Sequence, residues 1–252
     1  MPVRARGRDV WHRRPVSTSP EIIAERAALT ATLLEANPQA PTLCVGWRVV
    51  DLLAHLVLRE HRPDLMVRDG LSGAEPGGEP HLQRLVADAL DADGYADLVA
   101  RFAAGPPRLS PMRALDAQVN LLEYVIHQED IRRGPRGADG ESGPAEPRDD
   151  VSPALSVAVW KQVAGTAGLR FRGAGCGVVL VVPGGPRKVV RRGRESVALH
   201  GDPIELALYS AGRRRAAEVG IQGRPDVVDR FLRGIGEAPE PGARPASRPA
   251  AV

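Results

Sequence analysis

The chain has 252 residues and a formal charge of +3. That length suits one large or two ordinary domains, and so small a charge makes no case for a nucleic-acid partner. Hydrophobic residues at 43% and charged residues at 26% argue for a globular chain and against a disordered one, and no stretch reaches the roughly 18 apolar residues of a membrane span.

Aromatic residues are only 4%, so the core must come mainly from Ala, Leu and Val. Lys161 and Lys188 are the only lysines; every other basic side chain is Arg or His. Together with the excess of Ala, Gly and Pro, this is the signature of GC-rich codon usage, and it is the plain explanation for any arginine cluster. Cys44 and Cys176 form no CxxC pair, so neither a disulfide framework nor a thiolate zinc site is indicated. Both read as inert small apolar residues, and the pattern fits a reducing cytoplasm. Residues 1–18 contain five arginines but no apolar stretch after them, so they fail as a secretory signal. They read as a disordered basic tail or the product of an upstream start codon, ahead of a nucleic-acid-binding arm.

Ser19-Pro20-Glu21 opens a first helix, with Ser as cap, Pro in the first turn and an acid at the positive end of the dipole. Ile22, Leu29 and Leu33 carry it to Ala36, and Asn37-Pro38 stops it. Gly46 permits a turn, and Trp47 is expected to be buried at the start of a second helix, Arg48–Glu60, closed by Arg62-Pro63. Its apolar residues are Val49, Leu52, Leu53, Leu56 and Val57, and His55 flanks that face. Met66–Pro80 reads as a loop. A third helical region covers Leu82–Leu90 and Tyr95–Ala103, with a break expected at Asp93-Gly94. A fourth helix runs from Ala114 to Arg133, before Gly134-Pro135. Four such segments predict a helical bundle over residues 19–133.

Residues 134–150 are rich in Gly, Pro and acid and read as a linker. Beyond them the pattern changes. Ala154–Ala167 is helical, Val178–Val182, Lys188–Arg191 and Ser196–Leu199 are strands, and Asp202-Pro203 caps a helix through Ala211. Val219–Gln222 reads as a strand and Pro225–Leu232 as a last helix. Residues 151–236 are therefore expected as a small α+β domain, and residues 237–252 as a disordered tail.

The fourth helix carries the chemistry. Leu115, Val119, Leu122 and Ile126 form an apolar stripe. Beside it runs a polar stripe of Asp116, Asn120, Glu123, His127 and Asp130, which on its own is the wet face of an amphipathic helix. Glu123 and His127, four apart, lie on one face. With His55 they make a set of two imidazoles and one carboxylate, which suits Zn²⁺ with a position open for water or substrate. Fe(II), Ni²⁺ and Mn²⁺ accept the same donors. Asn120 and Asp130, one turn either way, are placed to support the ligands, whereas Glu129 lies on another face. Arg59, one turn after His55, either faces the cavity or pairs at the surface. His12, His61, His81 and His200 have no partner at ligand spacing and read as surface residues.

Gly46-Trp47, Asp51-Leu52-Leu53-Ala54-His55-Leu56-Val57 and Arg59-Glu60, together with Glu123-Tyr124-Val125-Ile126-His127-Gln128-Glu129-Asp130, resemble the N-terminal helical domain of the mycothiol-dependent maleylpyruvate isomerases and the wider DinB-like superfamily. The closest likeness is to an actinobacterial, metal-binding branch. The resemblance implies a metal held by His55, Glu123 and His127, and mycothiol as a co-substrate. Val178–Leu232 resembles, more loosely, the sterol-carrier-like C-terminal domain of those isomerases. In the isomerases an arginine placed like Arg213, in Gly212-Arg213-Arg214-Arg215, contacts substrate, which marks Arg213 as a substrate-binding candidate. The function implied is metal-assisted and thiol-dependent, either an isomerase or an S-transferase acting on a small electrophile. The alternative is a non-catalytic metal-binding or regulatory protein on the same bundle. Neither reading fixes the oligomeric state.

Overall fold

The computed structural model describes residues 19–107, 111–135 and 148–237, with the backbone alone over 111–119. The expected N-terminal tail with His12, nearly all of the C-terminal tail and most of the linker lie outside the described residues.

The first part is helical: α1 (Pro20–Glu35), α2 (Val49–His61), α3 (Pro63–Gly70), α4 (Pro80–Asp88), α5 (Ala92–Ala104) and α6 (Pro111–Arg132). α1 begins as its sequence dictates, with the Ile22 N–H donating to Ser19 Oγ at 3.4 Å and Pro20 in the first turn. Two expectations are corrected here. The segment read as a loop from Met66 holds the end of α3, because Pro63 is preset for a first helical turn and Asp64 favours the dipole's positive end. The break expected at Asp93-Gly94 comes earlier. Asp91 caps α5 by accepting the Gly94 N–H at 2.8 Å. Gly94 answers to packing, since a Cβ there would stand 2.1 Å from the Asp88 carbonyl oxygen.

The second part contains α7 (Pro153–Arg170), β1 (Gly177–Val181), β2 (Arg187–Arg191), β3 (Ser196–His200), α8 (Pro203–Ser210), β4 (Gly220–Gln222) and α9 (Pro225–Gly234). The strand order is β2-β1-β3-β4. β1 is antiparallel to β2 and parallel to β3, and β3 is antiparallel to β4. The period-two alternation sends Val178, Leu180, Val197 and Leu199 into the core. The α+β class expected from the sequence is what the chain adopts.

α1 packs on α5 and α6, α2 on α4 and α5, and α6 also meets α7 and α8. One apolar core therefore runs from Ile22 to Phe231. It encloses a polar knot. Arg26 Nη1 donates to Glu60 Oε2 at 2.8 Å and to the Phe102 carbonyl at 2.7 Å, while Arg26 Nη2 donates to the Tyr124 hydroxyl, which donates to Glu60. The polar stripe of α6, which on its own would be a wet face, is turned inward: Asn120, His127 and Asp130 are buried, and Leu122 and Ile126 are only partly so. Leu121, Tyr124 and Val125 make the apolar contact in their place. The reason is that this stripe faces α2, where Arg59 meets Asn120 and the His55 ring lies beside His127, while Arg213 beyond α8 closes on Asp130.

Candidate metal centre and its cavity

α2 fixes His55. Leu52, Leu53 and Leu56 are fully buried around it, and the Arg48 backbone N–H donates to Asp51 Oδ2 at 2.9 Å, closing the first turn. The Trp47 ring, half-buried, lies 4.9 Å from the His55 ring. Gly46 has φ +83, and a side chain there would press on the Pro76 carbonyl, so the turn before α2 requires glycine.

α6 brings the other two groups. His127 Nε2 is 3.3 Å from Glu123 Oε2, and His55 Nε2 is 4.0 Å from the same oxygen. One donor atom from each of His55, Glu123 and His127 lies within 4.8 Å of the others. The donor chemistry fits a divalent ion, with two imidazole nitrogens and a carboxylate oxygen converging from two helices. His127 also shows the arrangement a ligand histidine needs: its Nδ1 meets Asp130 Oδ2 at 2.9 Å, leaving Nε2 toward Glu123 and His55.

Charges reinforce the cluster. Burial alone would raise the Glu123 carboxyl, but hydrogen bonds from His127 and His55 and the charge of Arg59 hold it well below the usual carboxylate range. Burial pushes His55 down, aided by the like charges of His127 and Arg59. Against its own burial, His127 is held well above the usual imidazole value by Asp130, Cys44 and Glu123. Asp130, also buried, is drawn down to about 2 by His127 and Arg213.

Arg59 is buried. It donates to Asn120 and stands 3.9 Å from Glu123 Oε2, so of the two positions open to it, it takes the inner one. Glu129 is turned away and pairs with Arg132 and Arg133. Asp130 supports His127 as its position suggested, while Asn120 acts on Arg59.

Cys44 corrects an expectation. Its thiol lies 3.2 Å from Asp130 Oδ2 and 3.1 Å from Arg213 Nη2, and with His127 and Asp130 it forms a second group of donor atoms within 4.8 Å of one another. It is a polar partner, not an inert filler; Cys176 alone is buried as an apolar residue, its thiol pushed up by that burial. Nothing local in the sequence joins Cys44 to residues 86 positions away. His61 and His200 are half-buried rather than surface residues, each with Nε2 enclosed and without a hydrogen-bond partner. His81 Nδ1 meets Asp69 Oδ1 at 2.5 Å.

A cavity of about 430 Å³ opens over the cluster, lined by Trp47, His55, Glu123 and His127 from the helical part and by Arg170 and Arg213 from the second part. Arg213 follows Gly212, whose φ of +92 turns the chain back after α8. Its Nε and Nη2 donate to the two Asp130 oxygens at 2.9 and 2.7 Å, Nη1 donates to the Ala211 carbonyl at 2.9 Å, and Nη2 also points to the Cys44 sulfur.

The sequence model of the family described as mycothiol maleylpyruvate isomerase N-terminal domain matches residues 20–129, a stretch that includes His55, Glu123 and His127. Residues 20–129 are therefore similar to that domain. The crystal structure of the mycothiol-dependent maleylpyruvate isomerase superposes with a TM-score of 0.51 at 17% identity, covering 88% of this chain and 93% of that one. The structure of its histidine-to-alanine mutant gives 0.50 at 18% identity over the same shares. At such identity the likeness is one of fold, and it extends beyond the helical part into the second. No curated protein matches the chain. The isomerase-like fold is consistent with the DinB-like superfamily, and no helix among the described residues is long and apolar enough to cross a membrane.

Proposed function

We propose that the chain is a metal-assisted, thiol-dependent isomerase or S-transferase, with His55, Glu123 and His127 as ligands, zinc as the first choice of ion and mycothiol as the thiol. The observation that carries this reading is the convergence of the three groups at the floor of an open cavity, with Asp130 behind His127. A divalent ion there would supply Lewis acidity, favouring a thiolate or polarising a carbonyl. The residues of the chain do the rest. Asp130 sets the orientation of the His127 ring, Arg59 offsets the charge of Glu123, and Trp47 and Ile126 give the cavity an apolar wall. The reacting thiol would come from the co-substrate.

On this reading residues 19–133 and 151–236 act as two domains that share the cavity's walls, with Arg213 at the rim keeping one of its five N–H groups for a ligand. A cytoplasmic location and an actinobacterial source accord with mycothiol as the thiol. The test is metal analysis of the purified protein, followed by assay of thiol transfer from mycothiol to a panel of electrophiles and of maleylpyruvate isomerisation. Absence of both bound metal and thiol-dependent turnover would overturn the proposal. Bound metal without turnover would leave a metal-binding protein.

A further inference from the structure

We propose that a second cavity, walled by the end of α1, by α6 and by the residues just before α7, binds an aliphatic diamine. It holds about 700 Å³ and shares no lining residue with the cavity over His55, Glu123 and His127, so the inference is independent of the proposed function. Its charges are unbalanced. The two arginines in its wall are committed, Arg132 to Glu129 and Arg148 to Glu25 and Asp150. Glu35 and Asp149 are exposed in the same wall, and their carboxylates have no hydrogen bond or ion pair among the described residues. α1 also ends here, with no basic residue in its last turn to offset the negative end of its dipole.

The observation that points to a ligand is Gln128 on α6. It is only 5% exposed and lines the cavity, yet its Oε1 has no hydrogen-bond partner. A neighbour fixes which way the amide points. The Thr32 hydroxyl donates to the Ala28 carbonyl at 3.1 Å and so can only accept, which it does from Gln128 Nε2 at 3.4 Å. The oxygen is therefore the group left over, and a buried acceptor without a donor costs free energy that a ligand N–H would recover. A water molecule at that oxygen would leave both carboxylates unanswered. A metal ion suits the place poorly, because Glu35, Asp149 and Asp150 form no group of donor atoms within 4.8 Å of one another. Acceptors set apart in one cavity, with Ala40 and Ile131 adding apolar wall, suit ammonium groups joined by methylenes.

The experiment is calorimetric titration of the full chain with 1,5-diaminopentane, with pentylamine and with uncharged 1,5-pentanediol. The protein's formal charge of +3 gives it no general attraction for cations, so saturable binding reports a local site. The diamine should bind at a single site, and each ammonium removed from the probe should weaken binding by about tenfold. Gln128→Met should weaken the diamine by about tenfold, since it removes the buried acceptor. Glu35→Gln and Asp149→Asn test the same cavity from exposed positions, where folding is not at stake, and each should weaken the diamine about threefold. Asp97→Asn, an exposed acid on α5 outside the cavity, should leave it unchanged. No saturable diamine binding, equal affinity for pentanediol, or unchanged affinity both in Gln128→Met and in the combined Glu35→Gln and Asp149→Asn variant would overturn the inference. Pentylamine binding as tightly as the diamine would also overturn it, because one ammonium would then suffice.

Discussion

Arg213 closes its guanidinium on both oxygens of Asp130, at 2.9 and 2.7 Å, and Asp130 in turn meets Nδ1 of His127 at 2.9 Å. A residue of the second part of the chain thereby reaches the imidazole of a proposed ligand through one carboxylate. Asp130→Asn keeps the shape and removes the charge. Groups that orient a ligand histidine typically contribute 10- to 100-fold in metal affinity, so Asp130→Asn should weaken the ion by about that factor. Competition with a chelator of known affinity measures it, and an unchanged affinity would mean that Asp130 serves packing alone. Arg213→Ala should act in the same direction, since it leaves Asp130 without one of its two cationic partners.

The ligand set itself has a direct check. His55→Ala and His127→Ala should each lose the ion, whereas His200→Ala on β3 should retain it, as read by elemental analysis after dialysis. His200 also has an enclosed Nε2, so it controls for removal of a partly buried imidazole. Retention of a full equivalent of metal by both His55→Ala and His127→Ala would exclude this site.

The elements were readable because their signals are local. Ser19-Pro20, Asp202-Pro203 and Pro225 mark helix starts, and the β-branched run at Val178 marks a strand, so the expected boundaries fall within a few residues of those found. His55, Glu123 and His127 were readable because i,i+4 spacing on one helix and an apolar flank on another survive folding. The pairing of Asp130 with Arg213 was not, since nothing in the period of α6 records that a residue beyond α8 would close on it. Cys44 escaped for a related reason: its partners Asp130 and Arg213 lie 86 and 169 positions away.

The two cysteines should react differently with iodoacetamide. Cys176 is 3% exposed, and its burial disfavours the thiolate, the form that attacks. Cys44 is half-buried but lines the cavity over the ion site. Mass spectrometry of the native protein should find Cys44 labelled first, and mycothiol bound in the cavity should slow that labelling. Faster labelling of Cys176, or labelling of Cys44 indifferent to mycothiol, would contradict the placement of the thiol.

The knot formed by Arg26, Glu60 and Tyr124 belongs to stability and not to the site. Glu60 is completely buried and pairs with Arg26, which is held also by the Phe102 carbonyl and lies 5.0 and 4.8 Å from the centres of the Phe102 and Tyr124 rings. Arg26→Ala would take a cationic partner and its hydrogen bond from a buried carboxylate, and breaking a buried pair in this way typically costs about 3–5 kcal/mol. Replacing both partners, as in Arg26→Met with Glu60→Leu, removes the buried carboxylate along with its pair and should cost less than Arg26→Ala alone. Urea unfolding of the three proteins decides it. If the double variant is no more stable than Arg26→Ala, the loss comes from packing around the arginine stem and not from an uncompensated charge.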